Sequence, residues 1–481
     1  MSRLWRFTES DRLCMKKLVL TRRLSQIFFL SLFIYILWLT ANTAAFFKID
    51  PLVSIFSPFS IIMFFLTFVI GRFFCGWACP LGFIIDMCGI KVKNRVLNFR
   101  QVKYYILGSI VVSAFLGIQI AWIFDPLVIT ARFISLNFIP SFTLALDKLF
   151  IFLIKTLNFY TPLYDFYRLL KSSILGIKIY YFPHSFITLS FFIIICSLVL
   201  ITKRFWCRFI CPLGAIYSLV AKFSLLRRHV DKCINCMRCK AICRMDAIKE
   251  DMSYRKSECI LCMDCVYDCP AYGTKFIWPV RPVKPRAKDS ISRKDFLFLI
   301  ASSFLLLGFK FREGDVKKKL IRPPGVTNER EFLNKCIRCG NCMKVCPTNG
   351  LQPVIFESGL AGIWAPHLVP EIGYCEYNCN LCGNVCPPNA IPKLNLVQKK
   401  EQRLGLANID KNICLPWSQN KECIVCEEHC PVSTKAIKTY DEIFDGRKIK
   451  KPYVDASLCI GCGICQNKCP TMPFRAIRVL P

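Results

Sequence analysis

Apolar residues change their habit midway along this chain. In the first half they run on for about twenty positions at a time; in the second they shrink to short stretches between polar turns. Four of the long runs, about 27–47, 52–70, 104–124 and 185–202, are long enough to cross a bilayer as helices. A further stretch, 143–160, is apolar but punctuated by Asp147, Lys148 and Lys155, and it reads as a helix lying on a membrane surface. The pattern predicts a membrane α-helical domain over 1–230, with four transmembrane helices, followed by small α+β units.

Charge orients these runs. Residues 1–26 carry seven Lys/Arg, among them Arg12, Lys16, Lys17, Arg22 and Arg23, and the loop after the second run is basic at Arg72, Lys91, Lys93, Arg95, Arg100 and Lys103. Positive flanks mark the cytoplasmic side, so the N-terminus and residues 203–294 are expected there and the 125–184 connection outside. The same rule accounts for a net charge of +33 without nucleic acid, for which the chain has no separate basic arm.

The first half is internally repeated. Arg72-Phe-Phe-Cys75-Gly-Trp-Ala-Cys79-Pro80-Leu-Gly82 follows the second run, and Arg204-Phe-Trp-Cys207-Arg-Phe-Ile-Cys211-Pro212-Leu-Gly214 follows the fourth, with seven of eleven positions identical. This predicts two copies of a two-span unit, with both cysteine pairs at the cytoplasmic surface. Cys75, Cys79, Cys207 and Cys211 are candidate redox or quinone-site thiols; a metal and a helix-end role for Cys-Pro are the other readings.

Cysteine changes the picture most, at 31 residues. Dense cysteine serves as disulfide in small secreted chains, but here it recurs at metal-ligand spacing, three cysteines two residues apart and a fourth after three more. Residues 231–275 hold Cys233, Cys236, Cys239, Cys243 and Cys259, Cys262, Cys265, Cys269. Residues 326–481 hold Cys336, Cys339, Cys342, Cys346; Cys375, Cys379, Cys382, Cys386; Cys414, Cys423, Cys426, Cys430; and Cys459, Cys462, Cys465, Cys469. First cysteines 39, 39 and 45 residues apart indicate a repeated ferredoxin-like unit.

A cubane cluster takes three thiolates from one tight loop and the fourth from its neighbour. Cys269 is thereby expected with Cys233, Cys236 and Cys239, and Cys243 with Cys259, Cys262 and Cys265. In the C-terminal four, exchange between neighbours and a nested exchange are both open, and Cys414 sits on an enlarged loop. Six [4Fe–4S] clusters are expected, with these cysteines as iron ligands. Structural zinc favours isolated pairs separated by a longer loop. Cys-x-x-Cys-His is absent, so no c-type haem is expected. Cys14, Cys88 and Cys196 are solitary, and His184, His229, His367 and His429 lack ligand spacing.

Between the halves lies a linker, 276–325, rich in Pro, Lys and Arg, with a short apolar run, Phe296–Phe309. Ser292-Arg293-Lys294-Asp295-Phe296-Leu297 ahead of it resembles a twin-arginine export signal, with Lys294 in place of the second arginine. A short helix resting on the cytoplasmic face is the competing reading.

With these motifs in place, residues 1–275 resemble NapH-type membrane quinol dehydrogenase subunits, and residues 290–481 resemble NapG- or MauM-type ferredoxins; the chain looks like a fusion of the two. The first half is also similar to the membrane module of NosR-type and CcoG-type proteins. The resemblance implies a bacterial inner-membrane protein that oxidises menaquinol or ubiquinol and passes electrons to a periplasmic reductase or cytochrome c, with 311–481 periplasmic. It also admits another class, an electron-donating maturation factor for a periplasmic metalloenzyme. A third arrangement keeps the C-terminal half in the cytoplasm, exchanging electrons with soluble ferredoxin.

Overall fold

A computed structural model describes residues 9–39, 47–54, 57–89, 99–115, 119–156, 160–171, 182–231, 233–278, 320–355, 357, 359–444 and 446–481. The export-signal-like segment, its apolar run and most of the linker lie outside the described residues. The chain packs as two units: residues 1–39, 45–130 and 189–312 form one, and 40–44, 131–188 and 313–481 the other. Residues 131–188, expected with the first domain, therefore pack with the C-terminal half.

The first unit is helical until residue 221. Glu9–Leu39 is one helix, followed by Pro58–Val69, Val102–Phe115 and Ser185–Ser197 along the other apolar runs. Among the described residues two helical stretches are long and apolar enough to cross a membrane, Lys17–Leu39 and Pro126–Thr156. The second is a difference from expectation. The stretch expected to lie on a surface is the C-terminal part of a helix that begins at Pro126 and passes through a wider π-type turn at Ile134–Phe138. Apolar residues on both sides of that turn let the helix continue through it.

Each Cys-Pro of the repeat starts a helix. Cys79 caps Pro80–Cys88 and Cys211 caps Pro212–Ala221, with proline at the first helical position, where its missing N–H costs nothing. Beyond them β1 (Arg227–Val230) and β2 (Thr274–Ile277) pair antiparallel and bracket the first two quartets.

The second unit repeats this plan. β3 (Leu351–Pro353) pairs with β4 (Pro366–Leu368), β5 (Leu406–Ile409) with β8 (Ile477–Leu480), and β6 (Ile437–Phe444) with β7 (Arg447–Val454), all antiparallel. Thus β5 and β8 bracket the last two quartets as β1 and β2 bracket the first two. The core of this unit is threaded by cysteine: Cys336, Cys342, Cys346, Cys386, Cys414, Cys459, Cys465 and Cys469 are buried among Phe332, Met343, Leu368, Ile391 and Ile477. The helix over 126–156 and the 182–188 segment pack against this ferredoxin part. Arg132 Nε donates to Arg338 O at 3.1 Å, Ser135 Oγ bonds Asn341 Oδ1 at 3.2 Å, and Trp364 Nε1 donates to Thr188 Oγ1 at 3.0 Å.

Candidate metal centres

The quartet loops are built by backbone turned the unusual way. In the four quartets with strict two-residue spacing, the residues flanking the second cysteine have positive φ: Asn235 and Met237, Leu261 and Met263, Arg338 and Gly340, Gly461 and Gly463. Glycine adopts this freely at 340, 461 and 463, whereas each side chain elsewhere costs on the order of 1–3 kcal/mol. Such a turn wraps the chain around the space between the sulfurs and points amides inward. Sequence reasoning passed over these positions because only three of the eight are glycine.

In the second unit the quartet loops leave four clefts, each lined by four cysteines. One holds Cys336, Cys339, Cys342 and Cys386; a second Cys346, Cys375, Cys379 and Cys382. The third holds Cys414, Cys423, Cys426 and Cys469, and the fourth Cys430, Cys459, Cys462 and Cys465. The fourth cysteine of every quartet has crossed to its neighbour. The exchange left open by spacing is between neighbours, and Cys414 takes its place despite its enlarged loop. In the first unit Cys239 feels the charges of Cys233 and Cys269, while Cys259 and Cys262 both feel Cys243. That is the expected crossing again.

The donor chemistry suits an iron–sulfur cluster. Burial pushes the thiols of Cys339, Cys386, Cys426 and Cys462 up to about 12 and those of Cys375 and Cys414 up to about 11. Buried thiolates in such numbers need a compensating cation, which a cluster's iron supplies. Backbone amides already aim at the sulfurs: Ile391 N donates to Cys386 Sγ at 3.4 Å and Ala247 N to Cys243 Sγ at 3.2 Å. Such bonds stabilise ligated thiolate and tune potential. Among the described residues no three His, Cys, Asp or Glu side chains close on the position of a single ion.

The Cys-x3-Cys-Pro pairs come together with the first ferredoxin. Gly76 lies flat on the loop between Cys259 and Cys262, where an added Cβ would sit 2.1 Å from Ile260 O, and Trp77 Nε1 donates to Leu261 O at 2.9 Å. Buried ion pairs surround the contact: Arg204 with Asp86 at 2.6 Å, Lys103 with Glu258 at 2.6 Å, Arg72 with Glu258 at 3.1 Å and Arg22 with Asp264 at 3.3 Å. Arg244 bridges Asp86 and Asp264, and Arg100 and Arg208 share Asp246. Seven cations thus meet four carboxylates, and the surplus is positive. Arg22, Arg72, Arg100 and Lys103 had been read only as charge that orients the apolar runs, and none of the carboxylates was singled out; Asp86, in an otherwise apolar helix, was the available signal.

Two further juxtapositions escaped sequence reasoning. Cys88 and Cys196, expected to be solitary, lie in hydrogen-bonding contact. The repeat also extends to Asp50-Pro51-Leu52-Val53 and Asp125-Pro126-Leu127-Val128. Both carboxyls are buried, Asp50 Oδ1 and Asp125 Oδ1 accept from Leu52 N and Leu127 N, and the two side chains hydrogen-bond one another. Burial, then the charge of Asp125, push Asp50 well above the carboxylate range. Tyr217 is buried against Phe64 and Phe74, and that burial, then the charges of this pair and of Cys75 and Cys79, push its phenol up.

Family comparisons agree with the chemistry of these centres. A model described as "4Fe-4S binding domain" matches residues 52–96 and again 185–233, the two copies of the repeat. Others of that description match 230–246 with 256–273, and 332–352, and a "4Fe-4S dicluster domain" matches 420–472. The "Methylamine utilization ferredoxin-type protein MauM" of Paracoccus denitrificans is 32% identical over 169 residues, 34% of this chain and 73% of that protein. The "Ferredoxin-type protein NapG" of Escherichia coli is 32% identical over 189 residues, 38% of this chain and 79% of that protein. An uncharacterized protein of Methanocaldococcus jannaschii is 27% identical over 270 residues, 54% of this chain and 97% of its own length. No solved structure matches the chain.

Proposed function

Because the chain belongs to the family of NapG and MauM ferredoxin-type proteins and is an iron–sulfur electron carrier with [4Fe–4S] clusters, we propose that it takes electrons from a membrane quinol and relays them to a periplasmic reductase. In this reading the chain is a NapH-like membrane part fused to a NapG-like ferredoxin. Six clusters sit on the six crossed cysteine sets. Their chemistry is one-electron storage and transfer; the polypeptide holds them in place and sets their potentials through amide-to-sulfur hydrogen bonds, burial and nearby charge.

The observation that carries the proposal is the seating of Gly76 and Trp77 on the loop between Cys259 and Cys262. It makes the repeated helical part and the first cluster pair one continuous body, so a donor bound among the helices has a cluster beside it. Quinol oxidation also releases protons, and the buried, hydrogen-bonded carboxyls of Asp50 and Asp125 are the groups placed to take them. The helix length of Lys17–Leu39 and Pro126–Thr156 supports a membrane setting. A periplasmic C-terminal half belongs to the same reading, in which protease added to spheroplasts should cut beyond residue 326.

Anaerobic mixing of the purified protein with a reduced menaquinone analogue tests the reading. Cluster absorbance should bleach within seconds, and Asp50→Asn should slow this by about a hundredfold, the low end of a proton-transfer contribution. The equal identity to MauM favours a second reading, electron supply for maturing a partner enzyme. No bleaching by quinol, together with a partner enzyme that lacks its cofactor when this chain is lost, would favour that instead.

A further inference from the structure

The two copies of the repeat each carry two cysteines, half of what a cubane requires, although each is matched separately as a 4Fe–4S binding domain. The fold removes the shortfall. Direct contacts tie the two pairs together, Arg204 of the second copy to the Cys75 carbonyl and Arg72 of the first copy to the Gly214 position beside Cys211 Sγ, and in keeping with them Cys79 feels the charges of Cys75 and Cys207, and Cys211 those of Cys75, Cys79 and Cys207. Three of them, Cys79, Cys207 and Cys211, are buried.

The surroundings are exchanged between the copies. Arg204 of the second copy donates to Cys75 O at 2.8 Å and to Gly82 O at 3.3 Å in the first. Arg72 of the first copy reaches Gly214 of the second, its guanidinium 2.9 Å from where a Cβ would stand, and senses Cys211. Both arginines are essentially inaccessible to water. The helices starting at Pro80 and Pro212 each turn their positive end to a sulfur, Gly82 N donating to Cys79 Sγ at 3.4 Å and Gly214 N to Cys211 Sγ at 3.2 Å. Four thiols inside two guanidiniums, two helix N-termini and a cationic surplus form a cradle for an anionic object, and a thiolate-ligated cluster is one.

We infer that Cys75, Cys79, Cys207 and Cys211 together bind one further iron–sulfur cluster, shared across the internal repeat and seated against the loop of Cys259 and Cys262. The inference rests on the iron–sulfur chemistry proposed above and is independent of quinol as donor. The site is the first stop beside the helices, which explains why Gly76, in the middle of the first pair, makes the contact to the next centre.

Iron and acid-labile sulfide counted per chain, with low-temperature electron paramagnetic resonance of the dithionite-reduced protein, test it. The wild type should hold about seven cubanes, about 28 iron. Cys75→Ser with Cys79→Ser should remove about four iron and one resonance, Cys207→Ser with Cys211→Ser the same four, and all four substitutions together no more than either pair. A wild type with about 24 iron overturns the inference, as does a disulfide between these cysteines in the iron-replete protein. Losses that add between the two pairs also overturn it, because they mean separate centres. The wild-type count stands even if a variant fails to fold.

Discussion

Asp86 receives two guanidiniums at once, Arg204 through two hydrogen bonds of 2.6 and 2.7 Å and Arg244 at 3.1 Å. Burial alone would raise its pKa, but Arg204, then Arg244 and Arg22, hold it well below the carboxylate range. Removing one partner of such a group strands the others without water, so Asp86→Asn should cost about 3–5 kcal/mol, read as a lower midpoint of chaotrope unfolding. The sign with pH follows from the depressed value. The stabilisation is fully present above the ordinary carboxylate pKa near ~4 and is lost as pH falls from there through the folded value, so the variant should lose part of the acid sensitivity. At this scale sequence was least informative. A lone Asp86 or Glu258 says nothing of the cation that will face it from far along the chain, whereas ligand cysteines announce themselves because three must come from one loop.

Among elements, spacing carried the loops and stopped at their partners. Two-residue intervals let one tight turn supply three sulfurs, so the quartets were legible. The C-terminal crossing was not, because all four quartets present the same fourth Cys-Pro and only packing distinguishes them. Packing puts Cys386 with Cys336, Cys339 and Cys342, and Cys346 with Cys375, Cys379 and Cys382. Cys386→Ser should therefore perturb the resonance that Cys339→Ser abolishes, and Cys346→Ser the one that Cys382→Ser abolishes. The reverse assignment would contradict the crossing. The helix over 126–156 escaped for another reason: Asp147, Lys148 and Lys155 break its apolar run, yet Asp147 is met by Lys171 at 3.3 Å and by Tyr167 at 2.9 Å. Charge inside an apolar stretch marks a surface only when no partner neutralises it.

Over the whole molecule, the repeat and the cysteine count conveyed the architecture: a doubled helical part and modules built around metal. In the modules, two-stranded sheets and helices of no more than seven residues are too small to hold a core in water by themselves. Buried cysteine takes the positions that leucine would fill elsewhere, and what the cysteines grip completes the interior. The division of the chain at 131–188 was not legible, since it depends on contacts such as Arg132 with Arg338 that no local pattern encodes. Anaerobically purified protein should contain about 24–28 iron per chain, an equal amount of acid-labile sulfide, and essentially no zinc. Far less iron, or zinc in stoichiometric amount with little sulfide, would contradict the relay outright.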